Sequence, residues 1–180
     1  MSRLLSEFLD FSRVRASHFS AVDLHTVAVE ATNLVRSHPE CDAQVRLGVE
    51  GTRTVVEADE DLLHRIVTNL VLNAVQALRG PGRVTVRLDL PSPRDLPAGS
   101  EFERPVRLVV EDDGPGIDPS LRDRLFQPFV SGRPGGSGLG LAIVQRAVAA
   151  HRGLVLVESA PGAGTRITIY LHARCRTAET

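Results

Sequence analysis

The stretch Asp112-Asp113-Gly114-Pro115-Gly116-Ile117 comes straight after an apolar, strand-like run at residues 106–110. Gly114 and Gly116 allow a tight turn and let a ligand approach the backbone closely. A carboxylate at the end of such a strand can accept a charge-assisted hydrogen bond from an exocyclic amine such as that of adenine. Alone, the stretch also fits a plain acidic turn, because Asp-Gly is a common turn pair. Its weight comes from what stands on either side.

Upstream lies Asn69-Leu70-Val71-Leu72-Asn73-Ala74, inside a long apolar-periodic run. Residues four apart share a helix face, so Asn69 and Asn73 point the same way. An unpaired amide in such surroundings is costly. Backbone partners would satisfy the pair; so would a role as an oxygen donor to Mg²⁺ and an amide beside phosphate. Mg²⁺ takes few protein oxygens and completes its shell with phosphates and water.

Downstream lies Gly135-Gly136-Ser137-Gly138-Leu139-Gly140, which runs into the apolar helix pattern Leu141-Ala142-Ile143-Val144. Glycines at a helix start let several N–H groups converge on an anion, and the helix dipole adds to the attraction. A flexible loop would read the same way. The segment lacks the Gly-Lys-Ser/Thr of a P-loop, and no βαβ unit precedes it as a dinucleotide fingerprint would need. The last segment, Gly162-Ala163-Gly164-Thr165, separates two strand-like runs and by itself reads as a hairpin turn.

Around these segments the pattern predicts a helix from Asp23 to about residue 37 and strands over 44–49 and 53–58, with a turn at Glu50-Gly51. A helix over 59–78 is closed by Gly80-Pro81-Gly82. Strands over 84–90 and 106–110 flank a proline- and charge-rich stretch, 91–105, expected as an exposed hairpin loop. A short helix over 119–125, a loop over 127–137, a helix over 139–151 and strands over 154–158 and 166–171 complete the chain. Paired strands between helices predict an α/β (α+β) two-layer sandwich, with a mixed, mostly antiparallel sheet and helices on one face.

Composition restricts the function classes. The formal net charge is −1, with 21 basic and 22 acidic side chains, so no footprint for nucleic acid shows in the total. Every basic side chain other than histidine is arginine, so any role usual for lysine falls to arginine or is absent. Cys41 and Cys175 are far apart and lack metal-ligand spacing; reduced thiols in a cytoplasmic setting are expected. The richest apolar stretch, 66–78, is interrupted by Asn69, Asn73 and Gln76, so no membrane contact is expected of this chain.

Taken together and in this order, the four segments resemble the asparagine box and the three glycine boxes of the GHKL ATP-binding superfamily. Leu125-Phe126-Gln127-Pro128-Phe129 resembles the phenylalanine box of its histidine-kinase branch. The likeness covers about residues 22–171. It implies a Bergerat fold with ATP and Mg²⁺ as cofactors. Asp112 would read the adenine amine, with Gly114, Gly116 and Ile117 around it and Thr165 acting through water. Asn73 would hold Mg²⁺ and Asn69 would lie near phosphate. Gly136, Ser137, Gly138, Leu139, Gly140 and Leu141 would cradle phosphates, and Phe126 and Phe129 would anchor a mobile lid.

The short lid resembles the nitrogen-regulation type, which commonly carries Thr-Thr-Lys after the second phenylalanine. Ser131-Gly132-Arg133 stands there instead, which makes Arg133 the expected phosphate contact. ATP hydrolases of the superfamily place a glutamate one turn before the metal-binding asparagine. Asn69 occupies that position, which favours transfer to a protein side chain over hydrolysis.

None of His18, His25, His38, His64, His151 and His172 lies in a phosphoacceptor box. Residues 4–12 resemble the end of a dimerisation and phosphoacceptor helix. The expected division is residues 1–16 as that remnant, 17–22 as linker, 23–172 as the ATP-binding catalytic domain and 173–180 as tail. The acceptor histidine would then lie upstream, and autophosphorylation by this chain alone is not expected. Expected partners are ATP, the dimerisation domain and a response-regulator receiver domain. The alternatives are a stand-alone serine kinase of the anti-sigma type and a regulatory ATP-binding module.

Overall fold

Asp59 starts the helix that carries both asparagines: its carboxylate accepts the Leu62 N–H at 3.1 Å. Glu60 and Asp61 add negative charge at the positive end of the helix. The computed structural model describes residues 18–173 other than 79, 101, 103 and 134. In chain order the elements are β1 (Ser20–Asp23), α1 (Leu24–Arg36), β2 (Val45–Glu50), β3 (Val55–Ala58) and α2 (Glu60–Leu78). They continue with β4 (Gly82–Asp89), β5 (Pro105–Asp112), α3 (Gly140–Ala150), β6 (Leu154–Ser159) and β7 (Thr165–His172). Short 3₁₀ helices occupy Pro93–Asp95 and Pro119–Arg124.

Five strands form the main sheet in the order β2-β4-β5-β7-β6. β2 and β4 run parallel, because β3 and α2 intervene between them; every other neighbouring pair is antiparallel. Alternate residues face the helices: Val84, Val86 and Leu88 on β4, Val106, Leu108 and Val110 on β5, Ile167, Ile169 and Leu171 on β7. They pack against a stripe on α2 that includes Leu63, Ile66, Val67, Leu70 and Val71, all nearly inaccessible to solvent. Each such side chain contributes about 1.5–3 kcal/mol relative to exposure. The result is a two-layer α/β sandwich with a mixed, mostly antiparallel sheet.

Three expectations change. Ser20, Ala21 and Val22, expected in a linker, belong to β1, which pairs antiparallel with β3. Val22 is buried there, and Asp23 closes the junction by accepting the His25 and Thr54 N–H groups at 3.1 and 3.2 Å. The two strands on either side of Glu50-Gly51 therefore enter different sheets. The hairpin stretch 91–105 is not simply exposed. Tyr170 Oη donates to the Asp95 carbonyl at 3.3 Å, and the Phe102 ring lies 4.7 Å from that of His172, so the stretch folds over the outer face of the sheet. The expected helix remnant at residues 1–16 and residues 174–180 of the expected tail lie outside the described residues, while Ala173, expected to open that tail, forms a bridge to Val56 on β3.

The outer face also carries a file of alternating charge across all five strands. Glu50, Arg87, Glu111, Arg166 and Glu158 come from β2, β4, β5, β7 and β6 in turn, with contacts of 3.1, 3.0, 3.0 and 3.9 Å. Among the described residues no helix is long and apolar enough to cross a membrane.

Candidate nucleotide site

Between α2, the start of α3 and the ends of β5 and β7 lies a cleft of about 970 Å³. Its wall brings together Asn69 and Asn73 from α2, Asp112, Gly116 and Ile117 from the turn after β5, and Thr165 from the start of β7. Arg133, Gly136, Ser137 and Gly138 from the loop before α3, with Gly140 and Leu141 at its first turn, close the other side.

Asn69 and Asn73 share a face, as their spacing predicts. Asn69 Nδ2 donates to the Arg65 carbonyl at 2.8 Å, which leaves its Oδ1 turned toward α3. A Cβ built on Gly140 would lie 3.0 Å from Asn69 Oδ1 and 3.3 Å from Asn73 Nδ2. The glycine is what lets the helix start reach both amides. Leu139 stands at the N-cap of α3 and its side chain has no acceptor, so the first N–H groups of the helix remain available to an anion.

Asp112 is buried at 7% exposure at the end of β5. Burial pushes its carboxyl above the usual carboxylate range, and the negative charges of Asp113 and Glu111 push the same way. The Gly114 and Thr165 N–H groups bond to it and pull it partly back; the Gly114 bond is 2.9 Å. Asp113 faces elsewhere and accepts the Arg83 N–H at 2.7 Å, tying the turn to β4.

The turn is also bolted to the β6–β7 hairpin. Ser159 Oγ accepts the Ile117 N–H at 2.9 Å, donates to the Gly164 carbonyl at 2.9 Å and lies 3.1 Å from Thr165 Oγ1. The Gly162 N–H reaches the Pro115 carbonyl at 2.7 Å. Gly164 has φ +79°, and a Cβ there would sit 2.1 Å from the Asp112 carbonyl oxygen, so only glycine permits this contact.

Three expected site residues do not line the cleft. Gly114 sits behind Asp112 and acts on its carboxylate. Leu139 is fully buried and pins the start of α3. Phe129, expected with Phe126 to anchor the lid, has a side chain that is 65% exposed. It fastens the loop through the backbone, donating its N–H to the Gly138 carbonyl at 3.0 Å, with φ at +66°. Phe126 is partly buried.

Sequence reasoning missed Gln76, Glu40 and Ser159. Gln76 stands three residues after Asn73, so helical spacing puts it on the same side; Arg133 donates to its Oε1 and its Nε2 donates to Glu40. Ser159 had no local signal, since its partner Ile117 is 42 residues away. Among the described residues no group of three or more His, Cys, Asp or Glu side chains is placed to hold a metal ion. The donor set at Asn69 and Asn73 fits Mg²⁺ arriving with phosphates, which takes few protein oxygens.

Residues 58–174 match the family described as histidine kinase-, DNA gyrase B-, and HSP90-like ATPase. The chain is 35% identical over 176 residues to the sensory histidine kinase/phosphatase NtrB of Escherichia coli O157:H7, covering 97% of this chain and 48% of that protein. Among solved structures, the mycobacterial sensor histidine kinase MprB is 34% identical with a TM-score of 0.73, covering 87% of this chain and 99% of that one. Full-length ShkA, solved in complex with AMPPNP, is 27% identical with a TM-score of 0.75, covering 97% of this chain and 36% of that one. The chain spans from about a quarter to about half of the curated relatives it matches.

Proposed function

This chain belongs to the histidine kinase-, DNA gyrase B-, and HSP90-like ATPase family, in its sensor histidine kinase branch, and on that premise we propose that it binds Mg-ATP and donates the γ-phosphoryl group to a histidine of a dimerisation domain. A response-regulator receiver domain would then take the phosphoryl group, in the cytoplasm where ATP is at hand.

The observation that carries the reading is the meeting of Asn69 and Asn73 with the open start of α3, in one cleft with Asp112. Asp112 accepts the adenine amine, while Ile117 supplies apolar contact and Thr165 acts through water. The N–H groups at the start of α3 and the Arg133 guanidinium face the phosphates. Mg²⁺, when bound at Asn73, neutralises phosphate charge. Phosphoryl transfer depends chiefly on such positioning and charge stabilisation. Asn69 cannot take a proton from water, so the position one turn before Asn73 offers no base for hydrolysis. That ShkA was solved with an ATP analogue supports the assignment of the cleft.

The test supplies γ-labelled ATP, Mg²⁺ and a separate dimerisation domain carrying its acceptor histidine. Acid-labile label on that domain, with slow release of free phosphate, is the expected result. Rapid hydrolysis without transfer would sink the kinase reading, and acid-stable label on serine would point to the anti-sigma type.

A further inference from the structure

We infer that Gln76 is a positioning residue: it aims the Arg133 guanidinium at the terminal phosphate, and Glu40 holds the Gln76 amide in the orientation this requires. The inference rests on the nucleotide reading above.

Arg133 belongs to the loop before α3, Gln76 to α2 and Glu40 to the connection between α1 and β2, and all three line the cleft. Arg133 Nη2 donates to Gln76 Oε1, and Gln76 Nε2 donates to Glu40 Oε2. The order of this chain is forced by chemistry. A guanidinium only donates and a carboxylate only accepts, so the amide between them must turn its oxygen to Arg133 and its nitrogen to Glu40. Glu40 thereby fixes which way Gln76 points.

The backbone of Arg133 is held as well. Its N–H donates to Ser131 Oγ at 3.2 Å and its carbonyl accepts from the same hydroxyl at 3.0 Å. With the backbone tied by Ser131 and the side chain by Gln76, less rotamer freedom remains to be lost when a phosphate arrives. A neutral amide suits this task better than a carboxylate. It accepts from the guanidinium without adding a full negative charge of its own, as a carboxylate would.

The test titrates the 180-residue chain with Mg-ADP and with a non-hydrolysable Mg-ATP analogue, and reads the ratio of the two dissociation constants. Gln76→Ala is expected to lower the preference for the triphosphate about five- to tenfold, with ADP affinity changed by less than about twofold. The retained ADP binding also reports an intact fold. Arg133→Ala alone and Arg133→Ala combined with Gln76→Ala are expected to give the same ratio, because Gln76 acts only through Arg133. Glu40→Ala should lower the ratio, and Glu40→Gln should lower it too, because an amide at position 40 can donate as well as accept and no longer fixes which way Gln76 points. An unchanged ratio in Gln76→Ala, or a further loss in the double variant, would overturn the assignment and leave nucleotide binding standing. Failure of the unsubstituted chain to bind either nucleotide would overturn both.

Discussion

Gly140 and Asn69 meet closely at the first residue of α3: a Cβ there would lie 3.0 Å from Asn69 Oδ1, tight enough that the amide would have to give by a few tenths of an ångström. The contact joins the open helix start to the amide file of α2, and it separates stability from binding. Gly140→Ala gains helix preference, by roughly 0.5–1 kcal/mol in a helix interior, while it pushes the two asparagines out of line. The melting temperature is expected to stay within about 3 °C while affinity for a Mg-ATP analogue falls about tenfold. Unchanged affinity in a titration would show that the asparagine positions do not govern binding.

Asp112 makes a second opposition between stability and binding. Its folded-state pKa is raised by burial, so the folded chain holds this proton more tightly than the unfolded chain. The associated stability is present below the unfolded value and is lost as pH rises through the folded value. Asp112→Asn is therefore expected to melt higher than the parent at pH 7, yet to bind the ATP analogue at least about tenfold more weakly, a loss of about 1.4 kcal/mol. In the parent, affinity should also fall as acid protonates Asp112, and the substitution should flatten that dependence. A scan of both chains upward from the ordinary carboxylate value of about 4 checks the sign.

Ser159 holds the Asp112 turn to the β6–β7 hairpin through Ile117 and Gly164. Its removal leaves the Ile117 N–H without that acceptor. Ser159→Ala is expected to cost about 1–2 kcal/mol of stability and to speed hydrogen exchange at the Ile117 amide more than at the core amides of β5. Equal exchange at Ile117 in both chains would show that the hydroxyl does not hold the turn.

The charge file on the outer sheet face turns on Glu111, which contacts both Arg87 and Arg166 at 3.0 Å. These groups are partly solvent-exposed, so each contact contributes little and is screened by salt. Glu111→Gln is expected to destabilise by no more than about 1 kcal/mol at low salt, with the difference vanishing near 1 M salt, where the screening length is about 3 Å. Denaturant titration at both salt levels would reveal a buried, unscreened role if the difference persisted.

What the sequence determined by itself was whatever depends on local period. Alternation placed β4, β5 and β7, and the 3.6-residue repeat placed α2 with Asn69 and Asn73 on one face. The glycine runs marked the turns at 114–116 and 162–164 and the start of α3, and the order of these segments indicated the family and the cleft. The tertiary structure decided what depends on residues far apart in the chain. Val22 was unreadable as a strand because its partner Val56 lies on β3, and β1 is too short to show an alternation of its own. Ser159 carries no local pattern, and the spacing that puts Gln76 on the Asn73 side of α2 does not reveal its partner; their contacts come from Ile117, 42 residues away, and from Arg133, 57 residues away. Phe129 fits the phenylalanine motif, yet its ring is exposed and its backbone does the fastening. A motif records which residue stands at a position, whereas side-chain burial and hydrogen-bond partners are set only when distant segments pack together.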